Sequence, residues 1–253
     1  MESFLGSIQL LQFSHTEIAL SMLIFMWTGF VRTGLGFGGA ALGLPLMLFI
    51  FDRPLFWLPV IGSHLLFFTS LTLLTRLKAV DWSYLKKSSL YIMPAMLIGV
   101  FGLLNLPNNW LVLIIYSITL FYSILWLLDI RIQSEKGWTD KLLLIFGGYV
   151  SGTSLTGAPL LVAVYMHHVS KLQLRNTLFV LWFILVTIKM ATFVAFGFDL
   201  HTKSALMLLP AAAVGHILGL KLHDYILQND AFFKRFIGAM LAAISLIGFS
   251  SLL

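Results

Sequence analysis

The sequence lacks cysteine and has few charged residues, and each of these deficits excludes some classes of protein or site. The 253-residue chain contains no cysteine, which excludes disulfides, thiolate catalysis and cysteine-based metal sites. Only 10% of its residues are charged and 59% are hydrophobic, whereas a typical soluble domain is roughly 25% charged. The mean hydropathy is +0.96. Apolar segments leave no room for a soluble domain, so we expect residues 1–253 to form a single transmembrane domain.

Two further signatures are missing from the sequence. The residues before Glu17 include no Lys or Arg, so they lack the basic region of a signal peptide. There is no Gly-x-x-x-x-Gly-Lys-Ser/Thr motif, so this chain does not use ATP directly. The net charge of +6 comes from basic residues in short loops, where they are expected to set the membrane topology and not to bind nucleic acid.

A glycine-rich stretch that interrupts an apolar run occurs twice. The first copy covers residues 33–45 and the second covers 151–161. When one copy is shifted by 118 positions, Gly34 aligns with Gly152. Two such breaks in matching places of two halves indicate the binding site of a transporter.

The rest of the chain repeats in the same way, which predicts an internal duplication. We place repeat 1 at 17–128 and repeat 2 at 142–253. The apolar segments are 17–33, 40–51, 55–75, 88–104, 110–128, 142–152, 158–167, 176–197, 204–220 and 236–253. Three of the four segments beside the glycine turns are too short to span straight, since roughly 20 residues cross a bilayer. We therefore predict an all-α integral membrane protein in which each repeat is a re-entrant or broken helix hairpin plus three transmembrane helices.

The basic loops predict how the two repeats are oriented. Three crossings are an odd number, so the halves are expected to have inverted topology, as they also would if each hairpin crossed fully. The loops 76–87, 129–141, 167–175 and 221–235 carry most of the Lys and Arg residues, and the positive-inside rule puts them in the cytoplasm, with 105–109 and 198–203 outside. Both termini are then outside. The alternative, eight plain spans with parallel halves, leaves one basic loop on the wrong side.

The glycine turns have the chemistry of an anion site. A helix start offers free N–H groups and a partial positive charge, and glycine lets the backbone approach a ligand closely. Brought together by a pseudo-twofold axis, the two turns would form one central site. The candidate residues are Arg32, Thr33, Gly36, Gly38, Gly39, Ser151, Thr153, Ser154, Thr156 and Gly157. The alternative is that these glycines only let helices pack closely.

Two basic residues beside or inside the spans are candidates for binding the anion. Arg32 lies next to the first turn and can pair with an oxyanion bidentately, or it reaches an aqueous edge. Lys189 lies deep in a span, where an ionisable residue is a functional candidate by default. Its roles are anion attraction or proton coupling, and the alternative is a lysine that pairs with a backbone carbonyl. His216 also lies within a span, where a lone histidine more often packs with a hydrogen bond than relays protons.

The two glycine turns, each with a nearby proline, resemble those of the sulfite exporter TauE/SafE family. Val80-Asp81-Trp82 and the Gly215-x-x-x-Gly219 spacing are similar to later family motifs, and the likeness covers nearly the whole chain. The second turn departs from the family pattern, because it has Thr156-Gly157-Ala158 in place of three glycines. A family Thr-Ser pair at the start of the third segment is matched by Gly62-Ser63 and Asn176-Thr177, which adds Ser63 and Thr177 as candidate substrate-binding residues.

The resemblance implies a secondary transporter of sulfite, a sulfonate or a similar organosulfur anion. It would work in the bacterial cytoplasmic (inner) membrane by alternating access, with H⁺ or Na⁺ as a coupling ion and without a cofactor or a metal. Two other classes are an accessory membrane protein without flux and an intramembrane enzyme. The enzyme would need a serine beside a histidine, for which Ser154 and His216 are available, but no third group is apparent. We expect a transporter and not an enzyme.

Overall fold

Every regular element that the structure describes is helical. The structure is a computed structural model and describes residues 12–35, 38–73, 77–130, 132, 137–228 and 230–251. The helices are α1 (His15–Leu35), α2 (Gly39–Met47), α3 (Pro54–Leu73), α4 (Trp82–Asn105), α5 (Asn108–Leu127), α6 (Gly137–Ser154), α7 (Ala158–His168), α8 (Lys171–Ala195), α9 (Thr202–Gln228) and α10 (Asp230–Ser250), with one 3-10 turn at Leu77–Ala79. The predicted all-α class is confirmed.

Within these residues, five helices are long and apolar enough to cross a membrane. The spans are Pro54–Leu71, Trp82–Asn105, Asn108–Leu127, Lys171–Ala195 and Thr202–Leu222. Helix α10 adds a shorter apolar stretch, Arg235–Ser250. Large apolar side chains such as Leu90, Ile98 and Leu206 are exposed on these helices, as expected for surfaces that face lipid. The protein is a multi-pass membrane protein.

The helices extend beyond the predicted apolar segments at their polar ends. The segment predicted at 88–104 begins at Trp82, because the Asp81 side chain accepts a hydrogen bond of 2.9 Å from the Tyr84 backbone N–H and caps the helix. The segment predicted at 17–33 begins at His15, where Ser14 and Glu17 hydrogen-bond each other's backbone N–H groups in a capping box. Hydropathy alone marks where a helix is apolar and not where it is capped.

Both predicted glycine breaks interrupt a helix. Helices α1 and α2 are 21 and 9 residues long, and helices α6 and α7 are 18 and 11 residues long. At a rise of 1.5 Å per residue, α1 is about 31 Å long and α2 about 14 Å. The first arm of each pair is thus longer than its predicted apolar segment, while the second arm is too short to cross a bilayer.

The helices group into two compact units, each of which draws on both halves of the sequence. Unit 1 comprises 1–61, 107–131 and 199–253, and unit 2 comprises 62–106 and 132–198. The boundary between them falls inside α3, after Ile61. The repeats at 17–128 and 142–253 stay a prediction.

Unit 1 pairs the first broken helix with a helix from the second half. Helix α1 packs along α9, and helix α5 packs along α10. A Cβ on Gly29 would overlap the Ala212 carbonyl, and one on Gly215 would overlap the Met26 carbonyl. These glycines therefore let the backbones of α1 and α9 touch, which is how helices associate closely in lipid.

Unit 2 is built in a corresponding way around the second broken helix. Helix α6 packs along α4, while α7 and α8 lie against this pair. A Cβ on Gly99 would overlap the Tyr149 carbonyl, and one on Gly152 would overlap the Met96 carbonyl. The second glycine turn is consequently held against α4 by direct backbone contact.

Candidate functional site

The second glycine turn is a tight and strained break between α6 and α7. Leu155 has a φ of 60°, in the left-handed region that non-glycine residues rarely occupy. Gly157 precedes the first residue of α7, and a Cβ there would overlap the Gly147 carbonyl and the Ser151 hydroxyl oxygen. The turn thus requires a glycine at 157 for lack of space, and it stores strain at Leu155.

The hydroxyl groups of this turn hydrogen-bond within the turn and its helix. Thr153 and Ser154 each donate to the Val150 carbonyl at 3.1 Å. The Ser154 and Thr156 hydroxyl oxygens lie 2.6 Å apart. Because a hydroxyl has one proton, Thr156 donates to Ser154 when Ser154 donates to Val150. The predicted hydroxyls are all buried here, and an anion would have to compete with these internal acceptors for their protons.

Lys189 connects α8 to the end of α6 at this turn. Its side chain is 1% exposed, and Nζ donates to the Gly152 carbonyl at 2.6 Å and to the Ser151 carbonyl at 3.4 Å. The last carbonyls of a helix lack intrahelical partners and carry a partial negative charge. The Lys189 side chain therefore caps α6, which is the carbonyl pairing that we considered for this lysine. When protonated, it places a positive charge directly at the turn.

No carboxylate in the apolar spans balances this charge. The sequence of the five candidate spans contains neither Asp nor Glu. In the two longer arms, Glu17 and Asp140 lie in the first helical turn, far from the glycine breaks. The candidate spans therefore supply no carboxylate to pair with Lys189.

The first glycine turn lies at the end of α1 in unit 1. Arg32 and Thr33 are in the last turn of α1. Gly38 is the N-cap of α2 and has a φ of 84°, so that position needs a glycine. Gly39 lies close to the Arg32 Cβ, where an added Cβ would come within 3.0 Å. Gly36, also predicted as a site residue, lies outside the described residues.

His216, which the sequence suggests mainly as a packing residue, contacts a residue of the first glycine turn. The Thr33 hydroxyl oxygen lies 2.6 Å from Nδ1 of His216 on α9. Thr33 is buried, and the backbone of α1 approaches α9 closely at Gly219, where a Cβ would come within 2.9 Å of the Thr33 Cβ. The predicted site residue Thr33 thus has a titratable partner.

Ser63 and Thr177, suggested by the family motif, lie on α3 and α8. Thr177 accepts a hydrogen bond from the Asp81 backbone N–H at 2.9 Å and donates to the Gln173 carbonyl, which fixes the start of α8. It is twelve residues, or about 18 Å, before Lys189 on the same helix. Ser63 is half-buried on α3, next to Gly62, which packs on Met190.

The predicted residues therefore form two groups. Unit 1 brings together Arg32, Thr33, Gly38 and Gly39, with His216 as an addition. Unit 2 brings together Ser151, Thr153, Ser154, Thr156, Gly157 and Lys189. A single central site that both turns share stays a prediction. The strain at Leu155 has no signal in the sequence, because leucine is not a residue that favours the left-handed region.

Comparison with known proteins identifies the family. The family model described as sulfite exporter TauE/SafE matches residues 21–247, nearly the whole chain. No curated protein and no solved structure gives a significant match. The matched region includes both glycine turns, Lys189 and His216, so the resemblance read from the two turns is confirmed. The chain belongs to the sulfite exporter TauE/SafE family of membrane transporters.

Proposed function

We propose that the protein is a secondary transporter of a small sulfur oxyanion, sulfite or an organosulfonate, in the bacterial inner membrane. The observation that carries this proposal is the buried Lys189 side chain at the second glycine turn, in a set of spans without Asp or Glu. A charge in the membrane interior is costly unless it is paired. A mobile anion supplies the missing negative charge.

The backbone at both turns supports the choice of an anion. Helices α2 and α7 begin directly after Gly38 and Gly157. Their first N–H groups lack intrahelical acceptors, although Pro159, the second residue of α7, has no N–H to offer. Neither helix start has a side-chain cap. These N–H groups and the positive end of the helix dipole favour an oxyanion.

The anion would reach the second turn by replacing internal hydrogen bonds. Thr156 and Ser154 bond each other at 2.6 Å, and rotation of these hydroxyls would turn one proton toward an oxyanion. Lys189 has three donors, so one can remain on the Gly152 carbonyl while another faces the anion. In this arrangement the helix end stays capped when the anion binds.

The transport direction follows from the membrane potential and the coupling. An anion leaves an inside-negative cell passively, while its uptake needs a coupled cation. We propose alternating access, in which an anion held at mid-membrane is opened to one side and then to the other. The basic loops 76–87, 129–141, 167–175 and 221–235 would lie in the cytoplasm and both termini outside.

Equilibrium binding of radiolabelled sulfite and thiosulfate to purified variants tests the proposed site. Lys189→Met and Arg32→Ala remove the two interior charges, and we expect each to weaken binding about 10–100-fold, as for the loss of a hydrogen bond to a charged group. Lys171→Met is the matched control, because Lys171 is exposed at the start of α8, and it should bind within about twofold of wild type.

Folding of each variant is checked by size exclusion and by the melting temperature in detergent, because Lys189→Met also uncaps α6. If folded Lys189→Met and Arg32→Ala both bind as tightly as the control, the site lies elsewhere and the proposed role of the turns is wrong.

A further inference from the structure

The contact between Thr33 and His216 places a titratable group on a residue of the first glycine turn. The Thr33 hydroxyl oxygen and His216 Nδ1 are 2.6 Å apart, a short distance for a hydrogen bond to nitrogen. The glycines at 215 and 219 keep the backbones of α1 and α9 in contact on either side of His216. The pair is therefore held by the packing of two helices and not by a flexible loop.

The number of protons in this pair limits what Thr33 can do. A threonine hydroxyl has one proton to donate, while a neutral imidazole has one donor nitrogen and one acceptor nitrogen. When Nδ1 is the acceptor, the only proton of Thr33 points at His216. The hydroxyl then offers lone pairs to its surroundings, and these repel an anion.

Protonation of the imidazole reverses this arrangement. Both ring nitrogens of a charged histidine are donors, so Nδ1–H donates to the Thr33 oxygen. The Thr33 proton is released and can be donated to an oxyanion at the turn. The added positive charge acts in the same direction. Arg32 lies in the same turn of α1 as Thr33.

We propose that the coupling ion is a proton, bound by His216, and that His216 acts through Thr33 to tighten anion binding at the first glycine turn. This rests on the proposed anion transport. His216 is a positioning residue in this scheme, since Thr33 and not the imidazole touches the anion. One proton and one anion bind together, which lets an inward proton gradient drive anion uptake.

The helices packed around His216 carry other charged or titratable residues as well. Helix α1 carries Arg32, which stays protonated at physiological pH, and His15 and Glu17 at its opposite end, about 24 Å or more from Thr33. Helix α9 carries Lys203 at its start, Lys221 five residues beyond His216, and His223, Asp224 and Tyr225 further on. Helix α10 carries Asp230, Lys234 and Arg235 in its first turns. Of these groups, Arg32 alone adjoins Thr33 along the chain, and it does not titrate.

The test is the pH dependence of thiosulfate binding, since thiosulfate keeps its charge between pH 5.5 and pH 8 and sulfite does not. We expect wild-type affinity to increase about tenfold on acidification, the effect of one charged hydrogen bond. His216→Asn keeps an amide near the position of Nδ1 but does not titrate, so its affinity should be independent of pH. His167→Asn changes an exposed histidine at the end of α7 and should keep the wild-type profile.

Variants of Thr33 separate the proposed relay from a structural effect. Thr33→Ser retains the hydroxyl and should retain the pH dependence, while Thr33→Val is nearly isosteric and should bind weakly at every pH. If His216→Asn does not fold, the comparison of Thr33→Ser with Thr33→Val still tests the proposal. Proton uptake on thiosulfate addition, followed with a pH dye, should be about one proton per anion for wild type and none for His216→Asn.

Three results would overturn the inference. If wild type binds thiosulfate with the same affinity at every pH, the proposed transport stands and the proton coupling is wrong. If His216→Asn or Thr33→Val keeps the full pH dependence, another group binds the proton. If wild type binds neither thiosulfate nor any other sulfur oxyanion, the proposed function is wrong, and so is the proton coupling that depends on it.

Discussion

At the scale of single residues, Leu155 holds a backbone conformation that its side chain disfavours. Its φ is 60°, and a non-glycine residue in the left-handed region costs roughly 1–2 kcal/mol. Asp129 and His201 also have positive φ, but aspartate and histidine tolerate this region better. Leu155 lies between Ser154 and Thr156, so the strained residue separates two hydroxyl groups of the second glycine turn.

This strain predicts an unusual order of stabilities. Leu155→Asn suits the left-handed region, whereas Leu155→Val adds a β-branched side chain that fits it poorly. We expect the valine variant to be less stable than the asparagine variant by about 1–2 kcal/mol, although valine is the more similar side chain. Melting temperatures in detergent provide the comparison. If valine is the more stable variant, burial of the side chain dominates and the strain is negligible.

His201, in the loop before α9, predicts a pH effect on stability. Burial lowers the pKa of His201, although the Asp199 carboxylate at 3.5 Å opposes the shift, and its ring lies 4.6 Å from the Phe56 ring. The folded protein thus binds this proton less readily than the unfolded chain. The stability is complete above the unfolded pKa of about 6.5 and falls as the pH drops below it.

His201→Asn removes this titration while keeping a residue that tolerates a φ of 48°. The melting temperature of wild type should fall more between pH 7.5 and pH 5.5 than that of His201→Asn. Parallel pH profiles for the two proteins would show that His201 does not contribute.

The sequence indicates the candidate site residues but not their hydrogen-bond partners. The positions of both glycine turns and of Lys189 follow from composition and periodicity, and pairing of Lys189 with a carbonyl was one of the alternatives considered. That Thr153 and Ser154 donate to Val150 depends on rotamers at a helix end. The Thr33–His216 contact joins residues 183 positions apart, and no local pattern indicates it.

At the scale of helices, small residues set how closely the elements pack. Gly99 and Gly102 lie on the same helix, α4, but in different surroundings. A Cβ on Gly99 would overlap the Tyr149 carbonyl of α6, whereas a Cβ on Gly102 would have no atom within 4 Å. The two positions thus separate helix packing from helix propensity.

We expect Gly99→Ala to destabilise the protein by about 1–3 kcal/mol, because α4 and α6 would have to move apart. Gly102→Ala should be neutral or stabilising by up to about 1 kcal/mol, since alanine is the better helix former. The melting temperatures of Gly99→Ala and Gly102→Ala in detergent, each compared with wild type, test this expectation. Equal effects of the two substitutions would contradict the close packing of α4 on α6.

Helix ends were the least predictable feature of the elements. The apolar core of each helix sets its predicted limits, but caps such as Asp81 extend the helix through polar residues. The first arms α1 and α6 are therefore longer than predicted. The breaks themselves were predicted correctly, because glycine and proline interrupt helices for reasons local to the chain.

At the scale of the whole molecule, each unit combines helices from both halves of the sequence. Helix α1 packs on α9 in unit 1, and α6 packs on α4 in unit 2. Hydrophobic periodicity identifies such helices but does not identify their partners, since lipid-facing and partner-facing surfaces are similarly apolar. The membrane location and the family were predictable because they depend on composition and on the repeated turns.

The central claim is that the protein moves a sulfur oxyanion across the membrane. The direct measurement is the flux of radiolabelled sulfite, thiosulfate, sulfoacetate and taurine into proteoliposomes of the purified protein, with and without a pH gradient. Our account predicts saturable flux of at least one of these anions, faster with an inward proton gradient and lost in Lys189→Met but not in Lys171→Met. Folded protein that carries none of them in either condition would contradict it.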